Sequence, residues 1–159
     1  MQNHHWLRQK YRAIFGYTGL ICAIAGATLL FPLLALLAYP EEIEQAGGFL
    51  LPGLFLAGLG YFLWRNLKNS VTVLSVQDGA IIVVLSWVVA IAFGAIPFLT
   101  ISNLNFTQAV FESTSGWTTT GLSVIDVTKV SHLILLYRST IQLVGGAGFA
   151  ILALSTIIK

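Results

Sequence analysis

Charge is what this sequence has least of. Asp, Glu, Lys and Arg make up 9% of its 159 residues, apolar residues 57%, and mean hydropathy is +0.86. Soluble domains carry roughly 25% charged residues, so a soluble globular fold is excluded and the chain reads as an all-α polytopic membrane protein surrounded by lipid. The eight basic residues stand singly at the ends of apolar runs and form no basic face, which argues against a nucleic-acid partner. Cysteine is nearly absent: Cys22 alone, inside the first apolar run, has no partner for an internal disulfide and takes a packing role. Bases are missing where an enzyme needs them. Ser113 or Ser115 as the nucleophile of an intramembrane hydrolase has no histidine or lysine within a span to activate it, so the chain does not read as an enzyme and needs no cofactor. Low-complexity stretches and internal repeats are lacking too. His4 and His5, adjacent on a polar tail, do not make a metal site.

What is present is a series of apolar runs. The first, Ala13 to Leu37, follows a basic tail and exceeds the 7–15 residues of a signal-peptide core, so it reads as an uncleaved span, with Pro32 kinking its outer end. An acidic loop, Tyr39 to Gln45, leads to a second, glycine-rich run from Gly47 to Trp64. A basic connector follows, containing Val71 to Val76 as a short strand or interfacial segment. Gln77, Asp78 and Gly79 open the third span, Ala80 to Leu99, and a last span runs from His132 to Ile158. Two units result: residues 1–78, a tail, a two-helix hairpin and a connector, and residues 79–159, a helix, a loop segment and a helix.

Charge placement sets an orientation. Arg8, Lys10 and Arg12 precede the first span, Arg65 and Lys68 lie between the second and third, and Lys159 follows the fourth. Glu41, Glu42 and Glu44 lie on the opposite side, as a solvated loop. By the positive-inside rule both termini are cytoplasmic.

Between the last two spans, Phe106 to Trp117 is a half-polar helix too short to cross, and it leads into Thr118, Thr119, Thr120 and Gly121. Thr107 is its candidate cap and Gly116 its candidate end. About ten residues span roughly 15 Å, half the hydrocarbon thickness. Irregular backbone at that depth is tolerated only where protein buries it or where it lines a water-filled path. A half-helix entering from outside points its carbonyl end inward, which favours a cation there. The extended threonines and Gly121 then offer backbone carbonyls in place of water around a dehydrated monovalent cation.

Phe111-Glu112-Ser113, the run Ser115 to Gly121, Tyr137-Arg138-Ser139 and Gln142 to Gly148 together resemble the first pore repeat of the Trk/Ktr/HKT potassium transporter superfamily, its TrkH-type branch above all. Gly94 to Phe98 and the leading hairpin share the likeness, which covers essentially the whole chain. It implies a helical hairpin followed by one membrane-helix–pore-loop–membrane-helix repeat of a potassium-channel-like fold. It also implies potassium uptake across the cytoplasmic (inner) membrane through four repeats, each giving one filter strand, here Thr118 to Gly121, with K+ at Thr119 and Thr120. Coupling to protons or sodium is left open. The implied partners are the potassium ion, the remaining pore repeats, a second copy of the complete protein in a homodimer, and a cytosolic nucleotide-binding regulatory subunit. Because only one repeat is matched, the chain reads as a truncated transporter, Lys159 marking a cut. The alternatives are a single-repeat subunit that forms a pore as an oligomer, and a non-conducting membrane scaffold.

Arg138, about two turns into the last span, takes Glu112 or the carbonyls ending the short helix as its partner, and the two residues are assigned to filter support. Gly145, Gly146 and Gly148 are a hinge or a place of close helix packing. Asp126 concentrates cations or caps a turn, and His132 is interfacial.

Overall fold

A computed structural model describes residues 2–67 and 74–157, with side chains for 7–67 and 74–151. The side chains of His4 and His5, and all of Ile158 and Lys159, the connector residues Lys68 and Asn69, and Val71 to Val73 of the candidate strand, lie outside that description. Among the described residues the regular elements are all helices: α1 (Gln2–Leu30), two 3₁₀ helices (Phe31–Leu37 and Pro40–Gln45), α2 (Ala46–Leu67), α3 (Val76–Ile101), α4 (Phe106–Trp117) and α5 (His132–Ile157). Among the described residues, four stretches are long and apolar enough to cross a membrane: Leu7–Leu37, Pro40–Leu67, Val76–Ile101 and His132–Ile151.

Pro32 does more than kink the first span. It sits at the start of the 3₁₀ turn and removes the N–H that an α-helix would need, so the chain tightens into 3₁₀ geometry from Phe31 to Leu37. The acidic stretch is likewise a 3₁₀ helix rather than an open loop. Val76, placed in a strand or interfacial segment from sequence, is the first residue of α3. Ser75 caps that helix, its hydroxyl accepting from the Asp78 N–H while the Asp78 carboxylate accepts from the Ser75 N–H, so the 78/79 boundary falls in the helix's first turn.

The hairpin packs through small residues. A Cβ built on Gly26 would stand 2.4 Å from the Ala57 nitrogen, and one on Gly60 would stand 2.5 Å from the Ala23 nitrogen. Lipid supplies no hydrophobic force between helices, so backbone approach of this kind holds α1 to α2. Gly26→Leu in the complete protein is expected to force the pair apart and cost about 1–3 kcal/mol, measured as a lowered unfolding temperature in detergent.

Lys10 ties α1 to α3 through a 2.9 Å ion pair with Asp78. At the other end, Tyr137 of α5 is fully buried between Phe49 of α2 and Phe98 of α3, ring centroids 5.3 Å away in each case, and its hydroxyl donates to the Gly94 carbonyl at 3.0 Å. This aromatic knot joins the hairpin to the second unit and fixes the level at which α4 is received.

Candidate functional site

The twelve residues of α4 make a helix of about 18 Å, roughly half the depth of the hydrocarbon core. Its cap is Asn105, one step outside the apolar phase, and not Thr107. The Asn105 side chain accepts from the Gln108 N–H at 2.9 Å, and the Gln108 side chain accepts from the Asn105 N–H at 3.1 Å. An amide at each end of a four-residue box satisfies both free donors, which a threonine inside the first turn cannot do.

The helix also ends later than Gly116. Thr118 closes it, Thr119 adopts a left-handed backbone with φ 58°, the Thr119 N–H donates to the Gly116 carbonyl at 3.1 Å and the Thr120 N–H to the Ser115 carbonyl at 3.0 Å. These two bonds make a Schellman termination, with a threonine where glycine is usual. A β-branched residue at positive φ is strained by about 1–3 kcal/mol, and such strain gathers at functional segments. Gly116 is instead a contact point: a Cβ there would lie 2.2 Å from Ile141 Cδ1 of α5.

Beyond that termination the chain is neither helix nor strand. The Thr118 hydroxyl donates to the Thr114 carbonyl at 2.8 Å and pairs with the Thr120 hydroxyl at 2.8 Å, while the Thr119 hydroxyl donates to the Thr118 carbonyl at 2.6 Å. Ser115 donates to the Leu122 carbonyl at 2.6 Å. Among the described residues, the carbonyls of Thr119, Thr120 and Gly121 accept no hydrogen bond, and all three residues are exposed. Gly121 has φ 78°, a conformation that glycine alone adopts freely.

Glu112 is the anchor beneath this run. One carboxylate oxygen accepts from the Ser123 hydroxyl at 2.7 Å and from the N–H groups of Val124 and Ile125, so the returning strand is strapped to the helix. The other lies 3.2 Å from Arg138 Nε of α5, an ionic contact without the angle of a good hydrogen bond. Both side chains are shielded, Glu112 completely and Arg138 to 11% exposure. The structure thus brings together Glu112 and Arg138, which sequence reasoning had put among each other's possible partners.

Of the three α5 glycines, Gly145 meets the end of α4 most closely, since a Cβ there would fall 2.1 Å from the Trp117 carbonyl oxygen. Gly146 stands near the Thr119 methyl at 3.2 Å, and Gly148 has open space around it. Helix α5 runs unbroken through all three. Ser113 donates to the Ile91 carbonyl at 2.9 Å, holding α4 to α3. Asp126 caps a turn: Thr128 donates to it from both N–H and hydroxyl, Lys129 pairs with it at 3.2 Å, and these hydrogen bonds hold its carboxyl below the ordinary range. Among the described residues no group of three or more His, Cys, Asp or Glu is placed to hold a metal ion.

Glu42, too, differs from its sequence reading. Glu42 is no solvated loop carboxylate but the N-terminal cap of α5, accepting from the His132 N–H at 2.9 Å, the Leu133 N–H at 3.0 Å and the His132 ring, which stacks on Tyr39 at 3.6 Å. The contact spans 90 residues, so no local signal announces it. Glu42→Ala is expected to destabilise the protein by about 1–2 kcal/mol, the value of a lost helix cap, and Glu42→Gln to recover part of that on the same melting curve.

A hairpin, a crossing helix, a half-depth helix with an irregular return and a second crossing helix define a polytopic membrane protein with a re-entrant segment. The chain belongs to the TrkH family of cation transport proteins, whose model matches residues 49–159. It is 36% identical over 149 residues to the Trk system potassium uptake protein TrkH of Escherichia coli K12, covering 91% of this chain and 30% of that protein. To TrkG of the same strain it is 32% identical, over 92% of this chain and 30% of the relative. The crystal structure of the potassium transporter TrkH from Vibrio parahaemolyticus superposes with a TM-score of 0.81 at 33% identity, covering 92% of this chain and 32% of that one. The chain therefore spans about 30% of the length of the curated relatives it matches.

Proposed function

We propose that the complete protein containing this chain takes up potassium across the cytoplasmic membrane, and that Thr118, Thr119, Thr120 and Gly121 form one of the strands that dehydrate the ion. The observation that carries this reading is the run of three carbonyls, Thr119 to Gly121, left without hydrogen-bond donors beyond the strained end of a half-depth helix. Unpaired carbonyls at membrane depth are costly unless water or a cation meets them. The C-terminal dipole of α4 adds negative potential at the same place. Thr119 and Thr120 supply K+ contacts through main-chain oxygens, and Glu112 and Arg138 hold the strand in position.

In this reading both ends of the chain face the cytoplasm, because Arg8, Lys10, Arg12 and Arg65 share one side and Glu41, Glu42 and Glu44 the other. One strand cannot encircle an ion, so conduction needs the remaining pore repeats. A homodimer of the complete protein and a cytosolic nucleotide-binding regulatory subunit are the further partners the family likeness implies.

The test is growth at low potassium of cells lacking their own uptake systems. The complete protein is expected to restore growth, and residues 1–159 alone are expected not to. No rescue by well-expressed complete protein contradicts the reading.

A further inference from the structure

Serine and threonine hydroxyls in a helix commonly turn back to the carbonyl four residues earlier. Thr114 and Thr118 do so, donating to the Val110 carbonyl at 2.7 Å and the Thr114 carbonyl at 2.8 Å. Ser115 does not. The residue is buried, and its hydroxyl reaches forward out of α4 to donate to the Leu122 carbonyl, seven residues on, at 2.6 Å.

The same residue receives the chain on its return. The Ser115 main-chain carbonyl accepts from the Thr120 N–H at 3.0 Å and from the Gly121 N–H at 3.5 Å. In a planar trans peptide the C=O and the N–H that follows it point in opposite directions. A Thr120 N–H turned toward α4 therefore turns the Thr119 carbonyl away from it, and the Gly121 N–H does the same for the Thr120 carbonyl. At Leu122 the sense reverses, because the Ser115 hydroxyl draws that carbonyl in toward the helix. Among the described residues, this is the one hydrogen bond made by main-chain groups between the Gly121 N–H and the Val124 N–H, where the Glu112 strap begins. Gly121, at φ 78°, has a backbone free to turn, and Leu122 is exposed.

We propose that Ser115 is a positioning residue for the ion path: its hydroxyl pins the Leu122 carbonyl inward and so fixes the Gly121 and Thr120 carbonyls outward, which sets the preference for potassium over sodium. The assignment rests on the reading that the run Thr118 to Gly121 meets the ion. It adds a residue that touches no ion itself and acts through the direction of its neighbours' carbonyls.

The complete protein carrying S115A, S115C, S113A or G121S is assayed for rubidium uptake in competition with sodium, beside its melting temperature in detergent. S115A is expected to lower the preference for rubidium about fivefold, the effect of one lost hydrogen bond. S115C, close to serine in size but a weak donor, is expected to move it the same way by less, and it carries the test if S115A does not reach the membrane. S113A is the matched control. It removes a bond from another buried serine of the same helix, to the Ile91 carbonyl at 2.9 Å, and is expected to lower the melting temperature while the preference stays at the wild-type value. A ratio of two ions does not change with the fraction of molecules that fold, so a purely structural role for Ser115 moves melting alone. With G121S shifting the preference, a wild-type preference in whichever of S115A and S115C reaches the membrane, or an equal fall in S113A, overturns the assignment of Ser115 and leaves the ion path standing. An unchanged preference in G121S overturns the ion path, and this assignment with it.

Discussion

Glu112→Gln in the complete protein is expected to cost about 3–5 kcal/mol of stability and to abolish potassium uptake. The carboxylate is fully buried and meets Arg138, which is itself nearly enclosed, so neutralising it strands a cation with no counter-charge. Removing one partner of a buried pair is far more damaging than removing both, because the survivor keeps its desolvation cost. Arg138→Gln combined with Glu112→Gln should therefore be milder than Glu112→Gln alone. Glutamine still accepts from Ser123, Val124 and Ile125, so the strap itself is retained and the loss reports the charge. Chemical denaturation in detergent, run beside rubidium uptake, separates the two effects. A double variant worse than the single one removes the pairing argument.

Gly145→Ala is expected to be nearly as severe, for a steric reason. The added methyl would overlap the Trp117 carbonyl oxygen at 2.1 Å, a backbone atom in the last turn of α4 that cannot rotate away. Either α5 moves off α4 or the helix end shifts toward the threonines. Overpacking of this kind costs about 1–3 kcal/mol, and here the displacement is delivered to the segment proposed to touch the ion. Gly148→Ala, with open space around it, is the internal control and should be close to neutral. Uptake and melting temperature that fall equally in both variants would mean that the effect lies in α5 itself and not in its contact with Trp117.

Much of this was legible in the sequence, for physical reasons that can be named. Four apolar runs and a short half-polar one are set by the hydropathy pattern alone, and the rule that an intramembrane charge seeks a counter-charge or polar partner narrows Arg138 to Glu112 or the carbonyls ending the short helix, between which the packing decides for Glu112. The capping box at Asn105 and Gln108 was readable too, because its spacing is local, yet Thr107 inside the same box drew the assignment. Gly116 misled in a different way. Glycine near a helix end normally marks its stop, but here the residue is kept small by Ile141, and Thr119 takes the left-handed position instead. Glu42 capping α5 and Lys10 pairing with Asp78 depend on how distant helices pack, and no periodicity carries that information.

The most direct test of the ion-pathway reading is cation selectivity in the complete protein with Gly121→Ser, measured as uptake of rubidium in competition with sodium. At φ 78° a serine must either bear strain or turn its peptide, and in both cases the carbonyls of Thr120 and Gly121 change direction. Folded, membrane-inserted protein that has lost its preference for rubidium over sodium is the predicted result. Unchanged preference in the same protein would show that these carbonyls do not meet the ion.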